Sequence, residues 1–170
     1  MVINKSIEEG IVVLLMLALQ EGHTPVGSQT LSTVMAVSDS YLKKTLRKLV
    51  VSGLVHSSPG RDGGFTLARP INAITVGDAF RALDPEGLAF KNSGLAHTVF
   101  TSCDQLPQRE CQLADIFAQG CASFAAILDE HPLSELLNEH AWDVGACDWA
   151  TMAQAQQRQA EAPEESTPNQ

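Results

Sequence analysis

No wholly apolar run in this chain exceeds nine residues, and the longest, Ile11 to Leu19, is about half of what a bilayer-spanning helix requires. Glu8 and Glu9 stand where a secretory leader would be positive, and no small-residue cleavage site follows. No membrane association and a cytoplasmic location are therefore expected. Cysteine is scarce: Cys103, Cys111, Cys121 and Cys147 are too few to staple 170 residues as a disulfide scaffold. In a reducing compartment they are free thiols, ligands of a metal or cluster, or a redox pair. The chain also lacks a Gly-x-Ser-x-Gly elbow, a phosphate-cradling loop that opens a helix, and paired carboxylates in an apolar setting, so no enzyme is expected. There is no internal repeat.

Basic residues are few, 11 Lys and Arg against 20 Asp and Glu, for a net charge of -9. The distribution matters more than the sum. Residues 1–70 carry seven cations against five anions, and residues 71–170 four against fifteen. Four of the first seven cations fall between Lys43 and Lys48. Affinity for nucleic acid follows local phosphate neutralisation, so overall acidity does not exclude DNA, although it argues against strong non-specific binding.

That basic cluster sits in the stretch around which the chain is organised. Leu42, Leu46 and Leu49 recur at helical spacing and leave Tyr41, Lys43, Lys44, Arg47 and Lys48 to the other faces. Ser38 suits the N-cap, Asp39 and Ser40 suit the first turn, and Gly53 stops the helix. Two short apolar pieces, 54–56 and 65–67, then flank a glycine-rich tip bearing Arg61, which reads as a β-hairpin. A basic amphipathic helix followed by such a hairpin is the plan of a winged helix-turn-helix, with the helix in the major groove and the wing on backbone or minor groove.

Upstream, Ser6-x-x-Glu9 predicts a capping box for a helix through Gln20, and a short second helix starts near Ser28. Downstream, Thr75 caps a short helix with Asp78 three residues on. From Asp84 to Gln105 periodicity is lost and a loop or loose connector is expected. A long helix then runs from about Gln108 to Glu130, with Leu113, Ile116, Phe117, Cys121, Phe124 and Leu128 on one stripe too apolar for a lone surface helix. His131-Pro132 ends it, one further turn or two follow, and the remainder reads as a tail, with 160–170 lacking anything to bury. The fold class is thus mainly α with a small β-hairpin wing. A winged helix-turn-helix (1–83) is expected to be followed by a connector or sensor loop (84–112), a long helix and a short one (113–142), and a largely disordered tail (143–170).

The residues resemble a known family. Ser-Tyr-Leu-x-x-x-Leu-x-x-Leu (Ser40 to Leu49), Ser-Gly-Leu-Val (Ser52 to Val55), Gly-x-x-Gly-Gly-Phe-x-Leu-Ala-Arg (Gly60 to Arg69) and Ile-Thr-Val-Gly-Asp-Ala (Ile74 to Ala79) look like the bacterial Rrf2-type winged-helix regulators, the family of IscR, NsrR and CymR. The resemblance covers about residues 5–83 and is weaker beyond. It implies a homodimer built on the long helix that binds a palindromic operator in double-stranded DNA, most simply as a repressor. The sequence departs from the family's pattern at Pro59, where many relatives have an arginine, at Asp62, where they have glycine, and at Lys43, where many have glutamate.

Ser38, Ser40, Tyr41 and Lys43 are the candidates for base contact, and Lys44, Arg47 and Lys48 for phosphate contact or packing. Ser28 and Arg61 are candidate backbone contacts. Cluster-bearing relatives use three closely spaced cysteines leading into the long helix, whereas Cys103, Cys111 and Cys121 are widely spaced here. Cys103 and Cys111 are the candidate redox or cluster positions. The spacing favours no cofactor over an iron–sulfur cluster, no metal ligand set is assigned, and a small-molecule effector remains an alternative signal. The competing class is a protein–protein interaction module whose winged helix has lost DNA binding, a reading that Pro59 and Asp62 favour.

Overall fold

The computed structural model describes residues 5–85, 87, 93–101, 104–138 and 141–161. Helix α1 (Lys5–Leu19) opens the chain and buries Ile7, Val13, Leu14, Met16, Leu17 and Ala18. Ser6, the expected cap, lies inside the helix and is buried, and Lys5 and Glu9 form an ion pair at 3.7 Å. Helices α2 (Ser28–Val34) and α3 (Asp39–Val51) follow. Between them Ala36 takes a left-handed φ of 52°, which turns the chain sharply enough for Val37 N–H to reach the Ser32 carbonyl at 3.0 Å. Leu14 of α1, Leu31 of α2, and Leu42, Leu46 and Leu49 of α3 are fully buried together, which is why the leucine spacing in α3 dictates its orientation.

Gly53, at φ 73°, releases the chain into the wing. Strands β1 (Val55–Ser58) and β2 (Gly64–Leu67) pair antiparallel from Val55–Leu67 to Ser58–Gly64. Val26 adds a further rung by exchanging both backbone hydrogen bonds with Phe65, at 3.0 and 2.9 Å. A side chain at Gly64 would meet the Val26 backbone at 2.7 Å, so only glycine lets the wing lie this close to the preceding loop. Helix α4 (Val76–Leu83) starts with a reciprocal capping box between Thr75 and Asp78, as the sequence predicts.

Among its described residues the connector contains the short helix α5 (Leu95–Val99), where the sequence suggests only a loop. Helix α6 (Leu106–Glu130) starts two residues earlier than its periodicity predicts, because Pro107 suits a first helical turn and Leu106 is buried. By length and composition α6 could cross a membrane, with a mean hydropathy of 1.4 over its most apolar stretch. Counting unbroken runs misses this because Asp115, Gln119 and Ser123 interrupt the apolar residues. Those polar residues gather on one side, however, and a one-sided stripe suits a helix partner better than lipid all round.

After a 3-10 turn (Leu133–Leu136) that sinks Leu133 into the core, the chain does not trail off. The largely disordered tail expected over 143–170 is corrected through residue 161. Helix α7 (Ala141–Val144) leads to a bridge between Gln20 and Cys147, and α8 (Trp149–Glu161) packs on α2. The physical reason is local. The Asp148 carboxylate accepts from the Ala150 and Thr151 amides at 3.0 and 3.2 Å and so caps the helix, while Trp149 and Ala153 are buried. Residues 162–170 lie outside the described residues.

Candidate nucleic-acid interface

Four turns of α3 divide their residues cleanly. Leu42, Thr45, Leu46 and Leu49 are buried, and Ser40, Tyr41, Lys43, Lys44, Arg47 and Lys48 are exposed. Around the helix start, the Ser38 and Ser40 hydroxyls bond each other at 2.9 Å, and Lys43 pairs with Asp39 at 2.7 Å. Ser38 holds the N-cap position with extended backbone, yet its hydroxyl makes no cap bond to the helix. The Lys43 ammonium and then the Ser28 hydroxyl hold the Asp39 carboxyl below its ordinary value. Ser28 opens α2 and Asp39 opens α3, so the pull of the Ser28 hydroxyl on Asp39 marks the starts of these two packed helices as neighbours. Two helix N-termini side by side present backbone N–H groups and positive dipole ends to a common surface, the arrangement that receives phosphate.

The cations are not equivalent. Lys44 and Arg47 are exposed on α3, whereas the Lys48 ammonium donates to the Leu83 carbonyl at 2.7 Å and ties α3 to the end of α4. In the wing tip, Gly60 adopts φ 109° and accepts from the Gly63 N–H at 3.2 Å, leaving Arg61 and Asp62 exposed beside each other. Arg61 thus projects with a neighbouring carboxylate that offsets part of its field.

An ion-pair chain that the sequence did not reveal runs from the wing root to the long helix. Arg69 pairs with Asp78, Arg81 pairs with Asp78 at 3.0 Å, and Arg81 reaches Asp129 of α6 at 2.8 Å. Burial pushes the Asp78 carboxyl up, but the Thr75 amide and the Arg81 and Arg69 guanidiniums outweigh it and hold the group below its ordinary value. A lowered folded-state value means stability that is fully present above the unfolded pKa of about 3.9 and is lost as pH falls through the folded value. Asp78→Asn is expected to lower stability at neutral pH by about 1–3 kcal/mol and to flatten the acid limb of the unfolding curve. Urea titrations between pH 2 and 7 check this, and parallel curves for the two proteins would rule it out.

The apolar stripe of α6 is divided. Cys121, Phe124 and Leu128 are half-buried, with the Phe124 ring edge-on to Phe80 of α4 at 5.5 Å. Leu113, Ile116 and Phe117 are exposed, and so is Ile127, with 65% exposure at Ile116. Cys111 is exposed on the same helix as Cys121. Ten residues of α-helix separate them by about 15 Å, too far for two ligands of one small cluster. Cys103 lies outside the described residues. Among the described residues no group of three or more His, Cys, Asp or Glu is placed to hold a metal ion.

Comparison with known proteins agrees with this architecture. The sequence profile of a family described as Rrf2, iron-dependent transcriptional regulator, matches residues 3–139. YwgB of Bacillus subtilis, named as an HTH-type transcriptional regulator, is 31% identical over 138 residues, 81% of this chain and 85% of its own. The solved structure of CymR, described as the global cysteine regulator of B. subtilis, superposes with a TM-score of 0.57 at 24% identity, over 80% of this chain and 95% of that one. IscR of T. potens superposes with a TM-score of 0.57 at 24% identity, over 80% of this chain and 85% of that one.

Proposed function

The chain belongs to the Rrf2 family of transcriptional regulators, and from that premise we propose a homodimeric repressor that occupies a palindromic operator. As a member it is a DNA-binding regulator and not an enzyme. The observation that carries the finer reading is the outer face of α3, where Lys43, Lys44 and Arg47 stand exposed on the side opposite the buried leucines. In this reading residues 1–83 form the DNA-binding unit, with Ser38, Ser40, Tyr41 and Lys43 at base edges. Lys44, Arg47, Arg61 and the Ser28 end of α2 meet phosphates. Lys48 is a tether between helices. Residues 113–142 carry the dimer contact, and the exposed Leu113, Ile116 and Ile127 are its support.

The signal enters through residues 84–112 or the cavity described below, and it shifts an equilibrium between dimers whose two α3 helices do and do not match the operator spacing. The family is described as iron-dependent. In this chain Cys111 and Cys121 are too far apart along α6 for both to ligate one small cluster. A thiol response at exposed Cys111 or a small-molecule response fits the described residues better.

Salt titration of operator binding tests the DNA face. With three or four phosphate contacts per subunit, the log–log slope of affinity against salt is expected near -5 to -7. Lys44→Ala with Arg47→Ala removes about four contacts per dimer and should reduce the slope by about 3–4. Lys48→Ala should leave the slope unchanged while lowering thermal stability. An unchanged slope in the double variant would move the interface elsewhere and favour a winged helix that serves protein partners instead.

A further inference from the structure

A cavity of about 570 Å³ lies between the C-terminal end of α1, the segment leaving the wing, and α7. That volume is in the range of small-molecule sites. Leu67, Ile71 and Trp142 supply apolar wall, Thr66, His23 and Arg69 supply polar groups, and Asp143 brings one carboxylate that confines an anionic ligand to the Arg69 end. Two features separate it from an ordinary surface cleft. Gly22 and His23 take left-handed φ values of 60° and 50° in succession, a region that few non-glycine residues enter, histidine among the more tolerant of them. This turn carries His23 Nε2 to 3.3 Å from the Asp143 carbonyl and ties the α1 end to α7 across the cavity. Strained residues of this sort persist where the surroundings over-determine them, and they cluster at ligand sites.

The second feature is Arg69. It is the lysine- or arginine-type cation among the described lining residues, and its side chain is 42% exposed. One of its nitrogens is taken by Asp78, whereas a guanidinium carries five N–H donors in a planar fork. A ligand carboxylate could therefore share or replace Asp78 on Arg69. Asp78 would then be left to Arg81, which also holds Asp129 of α6. The polar end of the cavity is thus the first member of the ion-pair chain that ends on the long helix.

We propose that this cavity is an effector site for a small planar carboxylate, held by its ring against Trp142 and by its charge on Arg69. Binding is read at the operator through Arg69, Asp78, Arg81 and Asp129. Only that last step rests on the DNA-binding reading; the site itself does not. The chain has two tryptophans, and Trp149 is buried elsewhere, bonded to the Met16 carbonyl. Titration of the full chain with benzoate is expected to quench Trp142 emission saturably, and Trp142→Phe should abolish the quenching. Benzamide, of the same shape but uncharged, should bind at least about tenfold more weakly, since a charge-assisted bidentate contact is lost. Arg69→Gln should erase that preference, and Arg69→Lys should keep part of it. Saturating benzoate should change affinity for a selected operator duplex by about 5–150-fold, and Arg81→Gln should remove this effect while leaving quenching intact. Absence of saturable quenching, or equal binding of benzoate and benzamide, overturns the site. Quenching with unchanged operator affinity overturns the coupling. Failure of the protein to bind DNA at all would sink the functional reading and leave the quenching result standing.

Discussion

Leu113→Asp together with Ile116→Asp is expected to give a folded monomer whose affinity for a two-site operator is lower by about 10²- to 10⁴-fold. Both side chains are exposed on α6 in the single chain, at 44% and 65%, so carboxylates there strand no charge in the monomer's own core. The penalty falls on association alone, where two apolar stripes would have to enclose four unpaired carboxylates. A monomer offers one α3 helix to the operator instead of two held on one rigid body. It therefore loses the high effective concentration of the second reading helix. Ala122→Asp adds one carboxylate, half the charge of the double variant, on the opposite, exposed side of α6 and should leave both mass and affinity near those of the parent. Light scattering and operator titration on the three proteins decide the matter. A double variant that stays dimeric would place the interface off this stripe. A monomer with parental affinity would remove the need for a dimer.

The half of the molecule proposed to meet DNA is legible in the sequence because its signals are redundant. Leu42, Leu46 and Leu49 fix the buried face of α3, Gly53 fixes its end, and Gly60, Gly63 and Gly64 mark the hairpin, each through local backbone chemistry. The Thr75–Asp78 capping box was equally readable. What sequence periodicity could not convey was which polar side chains turn inward on other elements. Lys48 looks like any solvated lysine of a basic run, but its stem lies along the protein and its ammonium reaches Leu83, 35 residues away. Arg81 stands three residues from Asp78 on α4, a spacing that pairs them, but no spacing links Arg69 to Asp78 or Arg81 to Asp129, which comes from a different helix. The stripe of α6 was correctly apolar. Its division into a half that faces α4 and a half that faces outward is tertiary information.

The C-terminal segment was misread for a different reason. Its run of Ala and Gln has no strong apolar period, so a tail was expected where α8 forms. A local cue is present all the same: Asp148 suits an N-cap and is followed by Ala150, Met152, Ala153, Gln154 and Ala155, all good helix formers. The helix is then held at one heavy anchor in place of a continuous stripe. Trp149 is buried with its indole bonded to the Met16 carbonyl of α1, and Ala153, small enough to allow close approach, is buried one turn later in the helix that packs on α2.

Trp149→Ala is accordingly expected to lower stability by about 3–5 kcal/mol, the largest effect of any single substitution considered. The indole is 8% exposed and donates from Nε1 to the Met16 carbonyl at 2.7 Å, so truncation removes both a large apolar surface and a buried hydrogen bond. In a chain of this size that corresponds to a fall in melting temperature of roughly 6–20 °C. Trp149→Phe keeps the ring contact and loses the donor, and it should cost about 1–2 kcal/mol. Met152→Ala, on the exposed side of α8, should stay within about 0.5 kcal/mol of the parent. Because α8 packs on α2, release of its anchor should also loosen the helix that positions α3, so operator affinity should fall beyond what lost folding explains. Denaturant unfolding, limited proteolysis at residues 145–161 and operator binding below the transition temperature separate these effects. If Trp149→Ala unfolds with the parent's midpoint and α8 is no more readily cut, then α8 is a passenger on α2 and the anchor assigned to Trp149 is wrong.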